Sequence, residues 1–228
     1  MKKHLLLQIT KNTFLLTALF AVLQSCESPK EVSPVYFNSI TAEQSGVDFE
    51  NTLTPSADLN IIEYLYFYNG AGVAIGDLNN DGLEDLFVTG NQVQDRVYEN
   101  LGGLKFKDQT ATADINTQNS WSNGVTLADV NNDGLLDVYV SVVGNYKTLK
   151  GHNKLFLNQG DFKFKEISNE VHIDFSGFGT QASFFDYDND GDLDLYLLNH
   201  TVHTPRSYGK TEKRVEKDAL SGDLLFEN

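Results

Sequence analysis

Cysteine is nearly missing from this 228-residue chain. It has one, Cys26, so no disulfide can form within it. Basic residues are scarce too: 17 Lys and Arg stand against 32 Asp and Glu, for a formal charge of −15. Such a surface repels a phosphate backbone, and no basic stripe reverses it, so nucleic acid is excluded as a partner. Long apolar runs are also missing. The one clear run, Thr13 to Leu23, is too short to span a bilayer as a helix. Beyond it no long stretch has convincing helical periodicity, and no Gly-x-Ser-x-Gly, zinc signature or phosphate loop marks an enzyme. At 40% hydrophobic and 11% aromatic residues, the composition is that of a folded protein.

The N-terminus reads as an address. Lys2, Lys3 and Lys11 precede the apolar run, and Leu23-Gln24-Ser25-Cys26 follows it. This ending resembles the lipobox of bacterial lipoproteins, which implies cleavage before Cys26 and a lipid on it. Residues 1–25 are then a signal peptide, and 26–34 the lipidated Cys and a polar tether with two prolines. The expected location is a bacterial cell envelope, with the chain lipid-anchored at the outer membrane and surface exposure left open.

Residues 35–228 carry internal repeats. Asp77-Leu-Asn-Asn-Asp-Gly-Leu-Glu-Asp85 returns as Asp129-Val-Asn-Asn-Asp-Gly-Leu-Leu-Asp137 and as Asp186-Tyr-Asp-Asn-Asp-Gly-Asp-Leu-Asp194. Short β-branched or aromatic runs flank each copy: Gly72–Gly76 and Leu86–Thr89, Gly124–Ala128 and Val138–Ser141, Thr180–Phe185 and Leu195–Leu198. Each acidic stretch therefore joins the two strands of a hairpin. A second hairpin follows in the first two repeats, Arg96–Asn100 with Leu104–Lys107 and Lys154–Asn158 with Phe162–Lys165. Leu224–Asn228 begins a third. Four strands per repeat of 50–60 residues describe a β-propeller blade, so the expected fold is all-β, with about three to four blades of four antiparallel strands. Residues 203–221 are polar and charged, and read as a short helix or an exposed insertion.

The pattern D-x-[DN]-x-D-G-x-x-D packs like charges together, which needs a counter-ion. Positions 1, 3 and 5 present oxygens inward, the Gly at position 6 permits a sharp turn, position 7 offers a carbonyl, and position 9 closes the shell. An all-oxygen, flexible shell favours Ca²⁺ over Mg²⁺ and excludes zinc and copper. About three calcium sites are expected. The first is Asp77, Asn79, Asp81 and Asp85 with the Leu83 carbonyl. The second is Asp129, Asn131, Asp133 and Asp137 with the Leu135 carbonyl. The third is Asp186, Asp188, Asp190 and Asp194 with the Asp192 carbonyl. Glu84 falls off the pattern and faces water. An EF-hand needs a Glu at position 12, where this chain has Val88, Val140 and Leu197. The third loop offers four Asp side-chain ligands where the others offer three Asp and one Asn, and it is expected to bind most tightly.

These loops and hairpins resemble the FG-GAP/VCBS repeats of integrin-α-type β-propellers. The fuller stretch Phe67–Gly82, with Trp121-Ser-Asn-Gly124 ahead of the second loop, resembles the cartilage-acidic-protein group, whose bacterial members often carry an ASPIC/UnbV domain. The resemblance implies a propeller of about seven blades, of which this chain is an incomplete part, and calcium loops that stiffen their blades. It implies a binding or adhesion module for a protein or glycan partner. Two alternatives stay open, part of a calcium-dependent surface enzyme acting on polysaccharide and a purely structural subunit of an envelope complex. The enzyme reading would draw on His200, His203, Arg206 and Tyr208, which read more simply as ordinary surface residues. Trp121 and the run Tyr64–Tyr68 read as packing rather than as a sugar platform.

Overall fold

The structure is a computed structural model that describes residues 36–202 and 218–228. The signal peptide, Cys26, the tether, and His203, Arg206 and Tyr208 lie outside the described residues. The chain divides into two compact units, residues 1–39 and 40–228, and the second holds every strand and helix described here.

The repeats fold as separate antiparallel meanders. Blade one is β1 (Val73–Gly76), β2 (Asp85–Val88), β3 (Arg96–Asn100) and β4 (Phe106–Asp108). Blade two is β5 (Trp121–Ala128), β6 (Asp137–Val143), β7 (Lys154–Asn158) and β8 (Phe164–Glu166). Blade three is β9 (Gly179–Phe185), β10 (Asp194–Asn199) and β11 (Leu224–Phe226), three strands among the described residues. Among the described residues there are two one-turn helices, α1 (Ala42–Ser45) and α2 (Thr110–Ala113). The all-β, bladed expectation holds. The outer strands begin two residues later than their β-forming residues imply, because Gly102-Gly103-Leu104 and Gly160-Asp161-Phe162 take positive φ and lengthen the turns.

The blades stack face to face. One apolar cluster joins Phe87 and Val97 of blade one to Val125, Val138, Val140 and Phe156 of blade two. Another joins Tyr139 and Leu155 of blade two to Ala182, Leu195 and Leu197 of blade three. The middle blade is covered on both sides, so every residue of β6 is buried. This burial accounts for its largely apolar sequence, broken only by Asp137 and Ser141, in place of the alternation of a half-exposed strand. In β1 the pattern stays two-sided: Ala74 packs on the core while Val73 and Ile75 face outward.

The innermost strands approach closely. A Cβ on Gly72 would lie 2.7 Å from the Asn123 carbonyl oxygen, and one on Gly124 would lie 2.5 Å from that of Thr180. Polar stitches cross the same seams. Asn91 Nδ2 donates to the Ser122 carbonyl (2.9 Å), Asn123 Nδ2 to that of Gly179 (2.7 Å), and Thr126 Oγ1 to that of Ala182 (2.7 Å). Asp95 is buried in the first seam, where it accepts Gly90 N–H (2.9 Å) and Ser122 Oγ (3.1 Å). Burial pushes its carboxyl up to about 7.

The end of the blades away from the acidic loops is closed by an aromatic cap. Tyr64, Phe67, Trp121 and Phe178 are buried there. His200 joins them, its ring 4.2 Å from that of Tyr66 and its nitrogens 3.0 Å from Tyr64 Oη and Thr180 Oγ1. The surface role read for His200 is therefore corrected, since burial pushes its imidazole down to about 4. The packing role read for Trp121 and the Tyr64–Tyr68 run holds for Trp121, Tyr64 and Phe67, whereas Leu65 and Tyr68 are exposed.

Asp95 and His200 bend the pH dependence of stability in opposite directions. The raised Asp95 value means the folded state holds an extra proton between about 4 and 7, so its contribution is present at acid pH and lost as pH rises through 7. The lowered His200 value means its contribution is present above about 6.5 and lost as pH falls toward 4. Urea midpoints between pH 4 and 8 are expected to separate them. Relative to wild type, Asp95→Asn should gain stability as pH rises from about 4 to 7, and His200→Gln should gain as pH falls from about 6.5 to 4. Each difference should change by at most about 1.4 kcal/mol per pH unit.

Candidate metal centres

Each acidic loop is built in one way. Its first Asp, at the end of the inner strand, folds back over the turn. Asp77 accepts the N–H groups of Asp81 (3.0 Å) and Gly82 (2.7 Å), Asp129 those of Asp133 (3.0 Å) and Gly134 (2.8 Å), and Asp186 those of Asp190 (3.1 Å) and Gly191 (3.2 Å). The third residue, Asn79, Asn131 or Asp188, accepts from the fifth at 3.1, 3.1 and 3.2 Å. The fifth accepts from the seventh, Leu83, Leu135 or Asp192, at 2.8, 2.9 and 3.3 Å. The backbone donors thus gather the side-chain oxygens of positions 1, 3 and 5 inside each turn.

Two residue types make that turn possible. The Gly at position 6 has φ of 87°, 85° and 102° in the three loops. The Asn at position 4 is also left-handed, at 57° for Asn80, 57° for Asn132 and 66° for Asn189. Asn tolerates this conformation better than most side chains. The sequence reading passed over it, although Asn-Asp-Gly in all three copies was the available signal.

Position 9 does more than close a shell. Asp85, Asp137 and Asp194 are buried at the start of the second strand. One oxygen of each accepts the N–H of loop position 2: Leu78 (2.9 Å), Val130 (3.0 Å) and Tyr187 (2.8 Å). The other accepts the N–H of an Asn at or just after the end of the third strand: Asn100 (2.8 Å), Asn158 (2.8 Å) and Asn228 (3.1 Å). Each carboxylate thus pins the loop to its sheet and keeps a lone pair per oxygen for another ligand. The matching Asn residues were visible as repeats, but nothing in the repeat alone gave them this partner.

The donor set fits a hard cation. Among the described residues, none of the ion pairs involves a loop carboxylate. Burial raises Asp85 and Asp137 above the usual carboxylate range. Desolvation and the neighbouring Asp190 raise Asp188 as well. These groups resist ionising without a positive partner, and a divalent cation would reverse that. In the third loop Asp186, Asp188 and Asp194 bring oxygens within 4.8 Å of one another. Loops one and two soften their repulsion through an amide: Asn79 Nδ2 donates to Asp81, and Asn131 Nδ2 to Asp133, both at 2.9 Å. The third loop has Asp188 there, and the turn bonds made by its first, third and fifth residues are the longest of the three copies.

Loops one and two also touch. Asn80 Nδ2 donates to the Gly134 carbonyl (2.9 Å). Asn158 is buried between them, its Nδ2 donating to the carbonyls of Leu78 (2.8 Å) and Leu136 (3.0 Å) while its own N–H holds Asp137.

A profile of FG-GAP-like repeats matches residues 77–140 and 142–197, together more than half of the chain. The chain is also similar to cartilage acidic protein 1 of three animals. It is 29% identical to the Mus musculus protein over 161 residues, 69% of this chain and 23% of that protein. The Homo sapiens protein is 28% identical over 164 residues, 71% and 23% of the two chains. The Xenopus tropicalis protein is 28% identical over 153 residues, 66% and 22%. The chain therefore spans less than a quarter of the length of these relatives.

Removing the Asn158 side chain strands one buried and one half-buried carbonyl, so Asn158→Ala is expected to cost about 2–4 kcal/mol in urea unfolding. Asn100, which holds only the exposed Glu84 carbonyl and the Gly102 N–H, should cost about 1 kcal/mol as Asn100→Ala. Equal losses would show that Asn158 does not join the two loops.

Proposed function

The chain belongs to the FG-GAP-like repeat family, and from that premise we propose that it is a calcium-stiffened binding module of a bacterial cell envelope. The observation that carries this reading is the threefold acidic turn, whose carboxylates converge on backbone donors without a basic side chain to balance them. Asp77, Asn79, Asp81 and Asp85 with the Leu83 carbonyl would hold one calcium. Asp129, Asn131, Asp133 and Asp137 with the Leu135 carbonyl would hold a second, and Asp186, Asp188, Asp190 and Asp194 with the Asp192 carbonyl a third. The ion supplies positive charge at the turn, which cancels repulsion and fixes the angle between two strands. Its role is structural, because each loop lies in a hairpin bend already occupied by its own backbone.

Binding then falls to other surfaces, and the opposite end favours a protein partner. Trp121 is buried and offers no sugar-stacking face, whereas Ile61, Ile62, Leu65 and Tyr68 project to solvent around the aromatic cap. The lipid on Cys26 would tether the module to the outer membrane. The enzyme alternative gains nothing from His200, which is wedged among aromatic rings with both nitrogens hydrogen-bonded.

Thermal unfolding in calcium, in EDTA, and in magnesium tests the reading, with Trp121 fluorescence as the probe of the cap. One site held at about 100 times its Kd adds about 2.7 kcal/mol, or on the order of 5–10 °C in Tm for a chain of this size. A calcium-specific rise of at least that size is expected, with magnesium giving little. Well-folded protein whose Tm ignores calcium would overturn the metal reading.

A further inference from the structure

At five bonds in this chain a Gly nitrogen follows an Asn or an Asp: Asn69-Gly70, Asn123-Gly124, Asp81-Gly82, Asp133-Gly134 and Asp190-Gly191. Such pairs share a latent reaction. The Gly nitrogen, with no side chain beside it, can attack the preceding side-chain carbonyl carbon and close a succinimide ring. The attack needs a side chain free to fold back over its own peptide bond, and a Gly N–H that is not held elsewhere. Folding decides which pairs meet both conditions.

Four of the five pairs are held. Gly82 N–H donates to Asp77 (2.7 Å), Gly134 N–H to Asp129 (2.8 Å) and Gly191 N–H to Asp186 (3.2 Å). Asn123 lies inside β5, where its Nδ2 donates to the Gly179 carbonyl (2.7 Å) and its Oδ1 accepts from Asn91 Nδ2 (3.4 Å). A Cβ on Gly124 would lie 2.5 Å from the Thr180 carbonyl oxygen, so the backbone there has no room to move toward its neighbour. Asn69-Gly70 differs on every count. It sits in the turn between Phe67, buried in the cap, and Gly72, whose N–H is fixed by Thr89 Oγ1 (2.6 Å). Tyr68, Asn69, Gly70 and Ala71 are all exposed. The Asn69 N–H closes the turn on the Tyr66 carbonyl (3.1 Å), but among the described residues nothing holds the Asn69 side chain or the Gly70 N–H. Gly70 has φ of 86°, and a Cβ on it would meet nothing within 4 Å.

We propose that Asn69 is a site of spontaneous deamidation in the folded protein, with water as the only co-reactant. The Gly70 nitrogen bonds to Asn69 Cγ, and its proton passes through water to Nδ2. The Cγ–Nδ2 bond breaks, and ammonia leaves. Water then opens the ring at one carbonyl or the other, leaving Asp or isoAsp at position 69. No electrons change hands. The isoAsp product routes the main chain through the side-chain methylene, which lengthens the turn by one atom. The turn has room for it, because the groups that anchor the chain, Phe67 and Gly72, lie on either side of the exposed segment. Either product adds a carboxylate beside the exposed ring of Tyr68, so the rim of the aromatic cap gains negative charge as the molecule ages.

The test incubates the full chain at mildly alkaline pH, one sample folded and one unfolded in urea, and maps both by digestion and mass spectrometry. In the folded sample the peptide that holds Asn69 should gain the mass by which O exceeds NH, and should separate into Asp and isoAsp forms. Its rate should exceed that at Asn123 at least about tenfold, equivalent to about 1.4 kcal/mol in the barrier. Unfolding should raise the rate at Asn123 and leave that at Asn69 nearly unchanged. Asn69→Gln should remove the reaction from the folded protein, since the longer side chain closes a larger ring more slowly. Equal rates at Asn69 and Asn123 in the folded sample overturn the proposal. So does an Asn69 that reacts only after unfolding, which would show that the fold restrains the turn.

Discussion

The rest of the structure depends on electrostatic repulsion inside three tight turns. Each turn places three to five carboxylates within nine residues, and the fold uses the turns as hairpin bends rather than as dangling loops. Backbone N–H groups collect the side-chain oxygens of positions 1, 3 and 5, and those of position 9 bind the loop to the sheet. Hydrogen bonding of this kind orients carboxylates but does not cancel their charge. The turns are therefore ordered and strained electrostatically at once, and most so in the third, where Asp188 replaces the bridging amide. A cation at the centre would relieve that strain where the strands change direction. Blade geometry and ion binding then become one equilibrium.

Not all parts of the stack feel that equilibrium equally. Blade two is buried on both faces, and its strand β6 has no solvent side. The first two loops meet through Asn80 and Asn158, so a change in one turn reaches the other through two rigid links rather than through solvent. Asn158 acts on both at once, since its backbone holds the Asp137 carboxylate while its side chain holds the Leu78 carbonyl. Reciprocal coupling between the two loops follows from this sharing, because whatever orders one lowers the cost of ordering the other.

The strands and the turns were legible in the sequence because their signals are local. The third strands Arg96–Asn100 and Lys154–Asn158 begin and end where their repeated residues imply, and the acidic turns declared themselves by spacing. Three features were not legible. Leu104 and Phe162 favour strands by composition, yet both sit in left-handed turns closed by bonds from Lys105 to Gly102 and from Lys163 to Gly160. The second role of Asp85, Asp137 and Asp194 depends on a partner strand 15 to 34 residues away. His200 looked like surface because no spacing tied it to a site, and the rings of Tyr64, Tyr66 and Phe178, the first of them 136 residues earlier, half-bury it. In each case the deciding contact is non-local.

Repetition also shows what a blade is for. Within one blade the four strands satisfy one another's backbone, but the faces remain apolar and need neighbours. Blade two has both neighbours. Among the described residues, blades one and three each have one, and their other faces carry Val73 and Ile75 in blade one and Phe185, Tyr196, Leu198 and Leu225 in blade three. The first seam is sealed at its inner end by Gly72, where a side chain is excluded, and at its outer end by Phe162 and Phe164 of the next hairpin. Small residues at the inner strands and large ones at the outer hairpin thus fill that seam from opposite ends.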